Sequence, residues 1–217
     1  MALSLALFGL SASAVSTIPV PIPEDMPLRL GLAVKETNSF VPLAVNHLGG
    51  ILGVAYGFGG GFEGGFQIRG GANSDALFQS LTPPTWNLGG DVVLRYLGNV
   101  TDVFYLGLQG RVGYNYMFGS ATFTAGSNVT AGVGIPFGFM FGDAFALYLM
   151  PELEFGNRAA ADTSVFGSLV GLGGAIGGYL CLGGPKLFLE VKPKTRNLSD
   201  AWNTFGMDVM LGIAFET

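Results

Sequence analysis

The sequence predicts an all-β protein: a single closed antiparallel up-and-down transmembrane β-barrel of about ten strands, with eight as the alternative. Three observations predict it. Of 217 residues, 49% are hydrophobic and only 12% charged, whereas soluble domains average about 25% charged. From residue 28 onward, apolar residues alternate with polar or small ones, the period of a strand whose two faces meet different surroundings. The connections between these segments also alternate, short at one end and long and polar at the other.

The chain opens with "MALSLALFGLSASA", an apolar core ending in the small-x-small pattern Ala12-Ser13-Ala14. Residues 1–14 therefore read as a signal peptide, although no Lys or Arg precedes the apolar core. Prolines at 19, 21, 23 and 27 make 15–27 an extended, non-helical arm. The barrel is expected over 28–217, as one domain.

Ten segments carry the alternation, near 28–36, 48–58, 61–70, 86–97, 103–117, 127–140, 143–156, 166–181, 185–194 and 204–216. Most match the roughly 9–11 residues that a tilted strand needs to cross a bilayer. In the last, Phe205, Met207, Val209, Leu211, Ile213 and Phe215 share one face, opposite Thr204, Gly206, Asp208, Met210, Gly212 and Ala214. In "WNLGGDVVLRYL" the apolar row begins at Trp86 and ends at Tyr96, an aromatic for each membrane interface. The first segment, "LRLGLAVKE", is either a true strand with Leu28, Leu30, Leu32 and Val34 outward or an arm beside an eight-stranded barrel.

Charges test the phase of these rows, since one on the lipid face costs about 2–4 kcal/mol at mid-membrane. Arg29, Lys35, Glu63, Arg69, Asp91, Arg95, Arg111, Glu152, Glu154, Glu190, Lys192 and Asp208 all fall on the opposite rows. Six bases and six acids in a narrow lumen predict a network of ion pairs.

Residues 164–184, "SVFGSLVGLGGAIGGYLCLGG", carry no charge and have the length of a membrane helix. Their glycines, each about 1 kcal/mol worse than Ala in a helix, favour a strand over 166–181. Val170, Leu172, Ile176, Leu180 and Leu182 then face lipid. A helical protein spanning with 43–61 and 164–184 is the competing architecture.

On these segments, and above all on "LYLMPELEFG" and the terminal "MDVMLGIAFET", the chain resembles small Gram-negative outer-membrane β-barrels of the OmpA/OmpX-like superfamily. The resemblance implies an outer-membrane location, with 15–27 as a periplasmic arm. It also implies assembly by the barrel assembly machinery, which reads a terminal aromatic; Phe215 fits, although Glu216 and Thr217 follow it. The group contains adhesins, anchors, porin-like pores and a few enzymes, so the resemblance does not choose a function.

Composition and motifs exclude several chemistries. A net charge of −5 without a basic cluster argues against nucleic acid. One histidine, His47, and one cysteine, Cys181, leave no multi-His or multi-Cys metal site and no intramolecular disulfide. "GFGGGFEGG" and "GLGGAIGG" lack the Gly-Lys-Ser/Thr ending of a phosphate-binding loop. His47 with Ser39, Ser74 or another loop serine is the one Ser/His arrangement that would suit a lipid hydrolase, and Glu152 with Glu154 a possible paired carboxylate. Both read more simply as a loop residue and as ion-pair partners. No cofactor or catalytic residue is expected. The sequence predicts a non-enzymatic anchor or interaction component with a side-chain-filled lumen, touching outer-membrane lipid and engaging a protein partner through its loops or arm. A narrow pore for ions or small solutes is the alternative, and a lipid hydrolase stands behind both.

Overall fold

The computed structural model describes residues 28–39, 47–73, 86–118, 126–142, 144–156, 169–183, 185–195, 198 and 205–216. The expected signal peptide and arm, and the five long connections apart from Leu198, lie outside these residues.

Eleven strands follow in order: β1 (Leu28–Ser39), β2 (His47–Gly59), β3 (Phe62–Asn73), β4 (Trp86–Asn99), β5 (Phe104–Phe118), β6 (Gly126–Gly134), β7 (Phe137–Phe141), β8 (Phe145–Gly156), β9 (Leu169–Cys181), β10 (Lys186–Thr195) and β11 (Phe205–Glu216). Strands β6 and β7 are two halves of one position, because both pair with β5 on one side and β8 on the other. The wall thus has ten positions. Every pairing is antiparallel, and β1 pairs with both β2 and β11, so the ladder returns to its start. Closure leaves no unpaired edge, which a bilayer requires. Pairing of β1 along both sides decides for ten strands over eight. It also removes the helical alternative: 47–59 and 169–181 are strands, and no helix among the described residues is long and apolar enough to cross a membrane.

The single strand expected over 127–140 is broken at Ile135 and Pro136. Proline cannot donate to a ladder, so regular pairing lapses at these two residues, although β6 and β7 keep one register against both β5 and β8. Two hydrogen bonds carry the register through the gap: Ile135 N–H donates to the Pro151 carbonyl at 3.0 Å, and Gly107 N–H to the Pro136 carbonyl at 2.8 Å.

The short turns have two solutions. Gly59, Gly60 and Gly61 take φ of 85°, 61° and 81° between β2 and β3, a left-handed path that side chains disfavour. Between β4 and β5 no glycine is used. The Thr101 hydroxyl instead accepts from the N–H of Val103 (3.3 Å) and Phe104 (3.0 Å), a side chain replacing a backbone turn partner.

Among the described side chains the outward rows are apolar apart from Ser127 and Thr195 near the long-loop end, and Asp102, in the β4–β5 turn, is the one exposed charged residue. Aromatics gather at the short-turn end in the pairs Tyr56–Phe58 (5.3 Å between centroids), Phe62–Tyr96 (4.9 Å), Phe104–Phe139 (5.2 Å) and Phe141–Phe145 (5.8 Å). Amphipathic or flat rings at that level form the girdle by which such barrels sit at an interface.

A weak line crosses the wall. Pro151 on β8 faces Gly174 on β9, and the β9–β10 ladder passes from Val191–Ile176 to Lys194–Gly173 without pairing Pro193. An unmet backbone group facing lipid costs several kcal/mol, whereas proline's restriction of the unfolded chain returns only about 0.4–1 kcal/mol. The first effect is larger, so Pro193→Val is expected to stabilise the barrel by on the order of 1 kcal/mol. Urea titration of the vesicle-inserted protein would show it as a higher midpoint, and an unchanged or lower midpoint would mean that the gap is satisfied in another way.

Candidate functional site in the barrel lumen

The period of two sends every second residue of each strand into the lumen. Of the twelve charged residues expected there, ten have described side chains. Glu63, Arg69, Asp91, Arg95, Arg111, Glu152, Glu190, Lys192 and Asp208 are buried, and the Glu154 side chain is 17% exposed. Arg29 and Lys35 are placed by backbone register alone, Arg29 between Ala55 and Glu216 and Lys35 between Gly49 and Met210; their side chains lie outside the described set.

Pairing follows two geometries. Between adjacent strands, Arg69 binds Asp91, which also accepts from Gln67 at 3.1 Å. Arg95 meets Glu63 at 3.2 Å, and Lys194 meets Asp208 at 2.6 Å. The second geometry skips a strand. Arg111 on β5 reaches over β6 to both Glu152 and Glu154 on β8, and Lys192 on β10 reaches over β9 to Glu152 at 2.5 Å. The Tyr148 hydroxyl on β8 likewise donates across β9 to Glu190 on β10.

Glycine on the intervening strand makes these long bridges fit. Gly132 of β6 lies between Arg111 and Glu154 in register, and Gly177 of β9 lies between Tyr148 and Glu190. A Cβ on Gly132 would strike the Glu152 carboxylate and come within 2.9 Å of Arg111 Nε, and one on Gly177 would strike the Tyr148 ring. Bare backbone lets the large side chains lie flat against the wall.

The sequence reading omitted Lys186 and Lys194, both buried. The signal was present: Lys186, Phe188, Glu190, Lys192 and Lys194 occupy one face of β10 by parity alone. The neutral Gln67, Gln109, Asn115 and Thr130 are buried as well, Gln67 donating to Asp91 and the Thr130 hydroxyl accepting from Arg111 at 3.4 Å. With the two lysines, the described lumen holds six cations (Arg69, Arg95, Arg111, Lys186, Lys192, Lys194) against six acids (Glu63, Asp91, Glu152, Glu154, Glu190, Asp208).

The rest of the lumen is apolar. Ile51, Ala55, Ala146, Tyr179, Phe188, Met210 and Ala214 form one cluster, and Leu97, Tyr105, Tyr148, Met150 and Ala175 another. Met140 packs against both and joins them. Lys186 sits 5.0 Å above the Tyr179 ring. Most of this packing lies toward the short turns, while Arg69–Asp91, the Arg111 group and Lys194–Asp208 lie toward the long loops. Beside Glu152, Glu154, Lys192 and Lys194 the remaining space is about 10 Å³, at or below what one water occupies.

No catalytic grouping emerges among the described side chains. His47 opens β2 opposite Thr37 and Asn73, with its side chain outside the described set, as is Ser74. Glu152 and Glu154 do share a face, but Arg111 holds both. Phe215 faces outward near the end of β11, opposite Leu30. Cys181, part-buried, ends β9.

No protein-family model and no curated protein sequence matches the chain. Solved structures do. An outer membrane channel from Pseudomonas putida F1 superposes with a TM-score of 0.54 at 10% identity, over 95% of this chain and all of the other. The translocator domain of the autotransporter NalP from Neisseria meningitidis gives 0.50 at 10% identity, over 88% of each chain. The outer membrane protease OmpT from Escherichia coli gives 0.42 at 11% identity, over 93% of this chain and all of that one. A channel and a translocator on one scaffold show why fold cannot assign activity. They do not single out the OmpA/OmpX-like group. What the closed ladder, the apolar outer rows and these likenesses establish together is the fold, that of a small bacterial outer-membrane β-barrel.

Proposed function

We propose that the protein is a non-conducting barrel of the outer membrane, serving as an anchor or interaction component that presents its loops or N-terminal arm to a protein partner. The observation that carries this reading is the filled lumen. Two apolar clusters meet at Met140 in one half, and in the other half cross-strand ion pairs cross the lumen, with a pocket of only about 10 Å³ beside Glu152, Glu154, Lys192 and Lys194. Ten strands stand close to the eight whose interior side chains just fill, and far from the 16–18 that leave an aqueous channel. In this reading membrane lipid covers the outer rows, and the barrel assembly machinery inserts the chain, with Phe215 as the aromatic that it reads.

A narrow pore is the second reading, favoured by polar atoms deep in the lumen. Both amide atoms of Gln109, the Asn115 carbonyl oxygen, and Nε and Nη2 of Arg69 find no hydrogen-bond partner among the described residues, and a hydrated path would satisfy them. Planar-bilayer recording separates the two, using protein whose unboiled gel mobility shows a folded barrel. Silence is expected. Discrete openings whose size or ion preference changes on Arg111→Ala or Glu152→Ala would replace the anchor by a pore. Ester hydrolysis abolished by His47→Ala would replace both by a hydrolase.

A further inference from the structure

Among the described residues a roomy cavity lies on the outside of the barrel. On the outer wall of β3, β4, β5 and β6, a groove of about 1020 Å³ runs between Phe66, Leu88, Val92, Val112, Tyr114 and Tyr116. Its floor includes Gly90, whose place in the outward row of β4 would otherwise carry a side chain like those of Leu88 and Val92 on either side. A Cβ there would meet only the Gln67 carbonyl at 3.1 Å and the Phe66 ring at 3.5 Å, so the absent side chain opens the groove at little packing cost to the wall.

From this geometry we infer that the groove is a discrete site for an acyl chain of an outer-leaflet lipid of the lipid A type. Three features choose that occupant. The groove is continuous with the lipid-facing rows, and no charged residue borders it, so a protein segment bearing the usual polar groups would gain nothing there. Its walls are bulky and its floor is backbone, a shape that gains dispersion contacts from a slender flexible chain. Its position is toward the long-loop end, where Tyr114 and Tyr116 stand near the ends of the β4 and β5 ladder. Long loops are extracellular in such barrels, which places the groove in the outer leaflet. That last step rests on the outer-membrane reading proposed above. A groove holding one chain in a fixed place differs from the exchanging lipid shell around any membrane protein by its stoichiometry and by its dependence on Gly90.

The test uses the full folded barrel in detergent, checked by gel mobility, with hexa-acylated lipid A or phosphatidylethanolamine added and native mass spectrometry as the readout. A single lipid A adduct is expected on the wild type, reduced at least tenfold by Gly90→Phe. It is expected to be unaffected by Gly110→Phe, because Gly110 is also on the lipid-facing row but its Cβ would meet nothing within 4 Å. If Gly90→Phe does not fold, Val112→Phe narrows the same groove from its wall and should give the same loss. Equal adducts on wild type and Gly90→Phe, a broad distribution of several lipids, or equal retention of phosphatidylethanolamine would each overturn the inference. A conducting barrel that still binds one lipid A would overturn the anchor reading and leave this site standing.

Discussion

Replacing Arg111 by Met is expected to lower the unfolding free energy of the vesicle-inserted barrel by about 3 kcal/mol, the lower end of what breaking a buried ion pair costs. Arg111 is the link between Glu152 and Glu154. Without it, Glu152 keeps Lys192, but the Glu154 carboxylate loses the guanidinium that it binds. Its side chain is 17% exposed, which is why the lower end of the range applies. The double substitution Arg111→Met with Glu154→Gln should recover part of the loss, because it removes the carboxylate left without its cation. Arg111→Lys should fall between, since one ammonium cannot reproduce a fork that binds two carboxylates. Urea titrations of the four proteins make the comparison. A loss below about 0.5 kcal/mol for Arg111→Met would mean water-screened charges, and with them a hydrated lumen and the pore.

The largest loss is expected at Gly107. A Cβ there would strike the Tyr96 backbone carbonyl and stand 3.2 Å from Leu97 Cα, atoms that no rotamer change can move. Gly107→Val should therefore abolish the heat-modifiable gel band. Gly110→Val, three residues along the same strand with open space at its Cβ, should fold normally. Equal folding of the pair would show that the β4–β5 wall relaxes more readily than close packing allows. At Gly132 and Gly177, by contrast, the obstructing atoms belong to side chains, so substitutions there should disturb the cross-strand bridges before they prevent assembly.

Residue parity carried most of the architecture. In β9, the glycine-rich segment that imitates a membrane helix, Leu172, Ile176 and Leu180 are exposed on one face while Ala175, Gly177 and Tyr179 are buried on the other. The same alternation placed Asp91, Arg95 and Arg111 on buried rows. The two lysines at the ends of β10 were missed because a strand end reads equally well as a turn, where charge is ordinary. Proline at 136 was visible, but not its effect, since a single proline is compatible with an edge strand, a bulge or a break.

What the sequence determined by itself was each residue's side of the wall, because a strand's period of two depends on nothing beyond its own backbone. Which residues meet across that wall was decided only by the tertiary structure. Pairing depends on register between strands, so nothing in the chain near Arg111 points to Glu152, 41 residues on, across an intervening strand. The same holds for the outer groove. Gly90 reads in sequence as one more glycine, and becomes a floor only when the pairing of β3, β4 and β5 brings Phe66 and Tyr114 to its two sides. Closure also brings the lumen side chains into contact across strands, as Arg111 with Glu152 and Tyr148 with Glu190, and it is the packing of those side chains, not the count of inward charges, on which a sealed barrel or a pore depends.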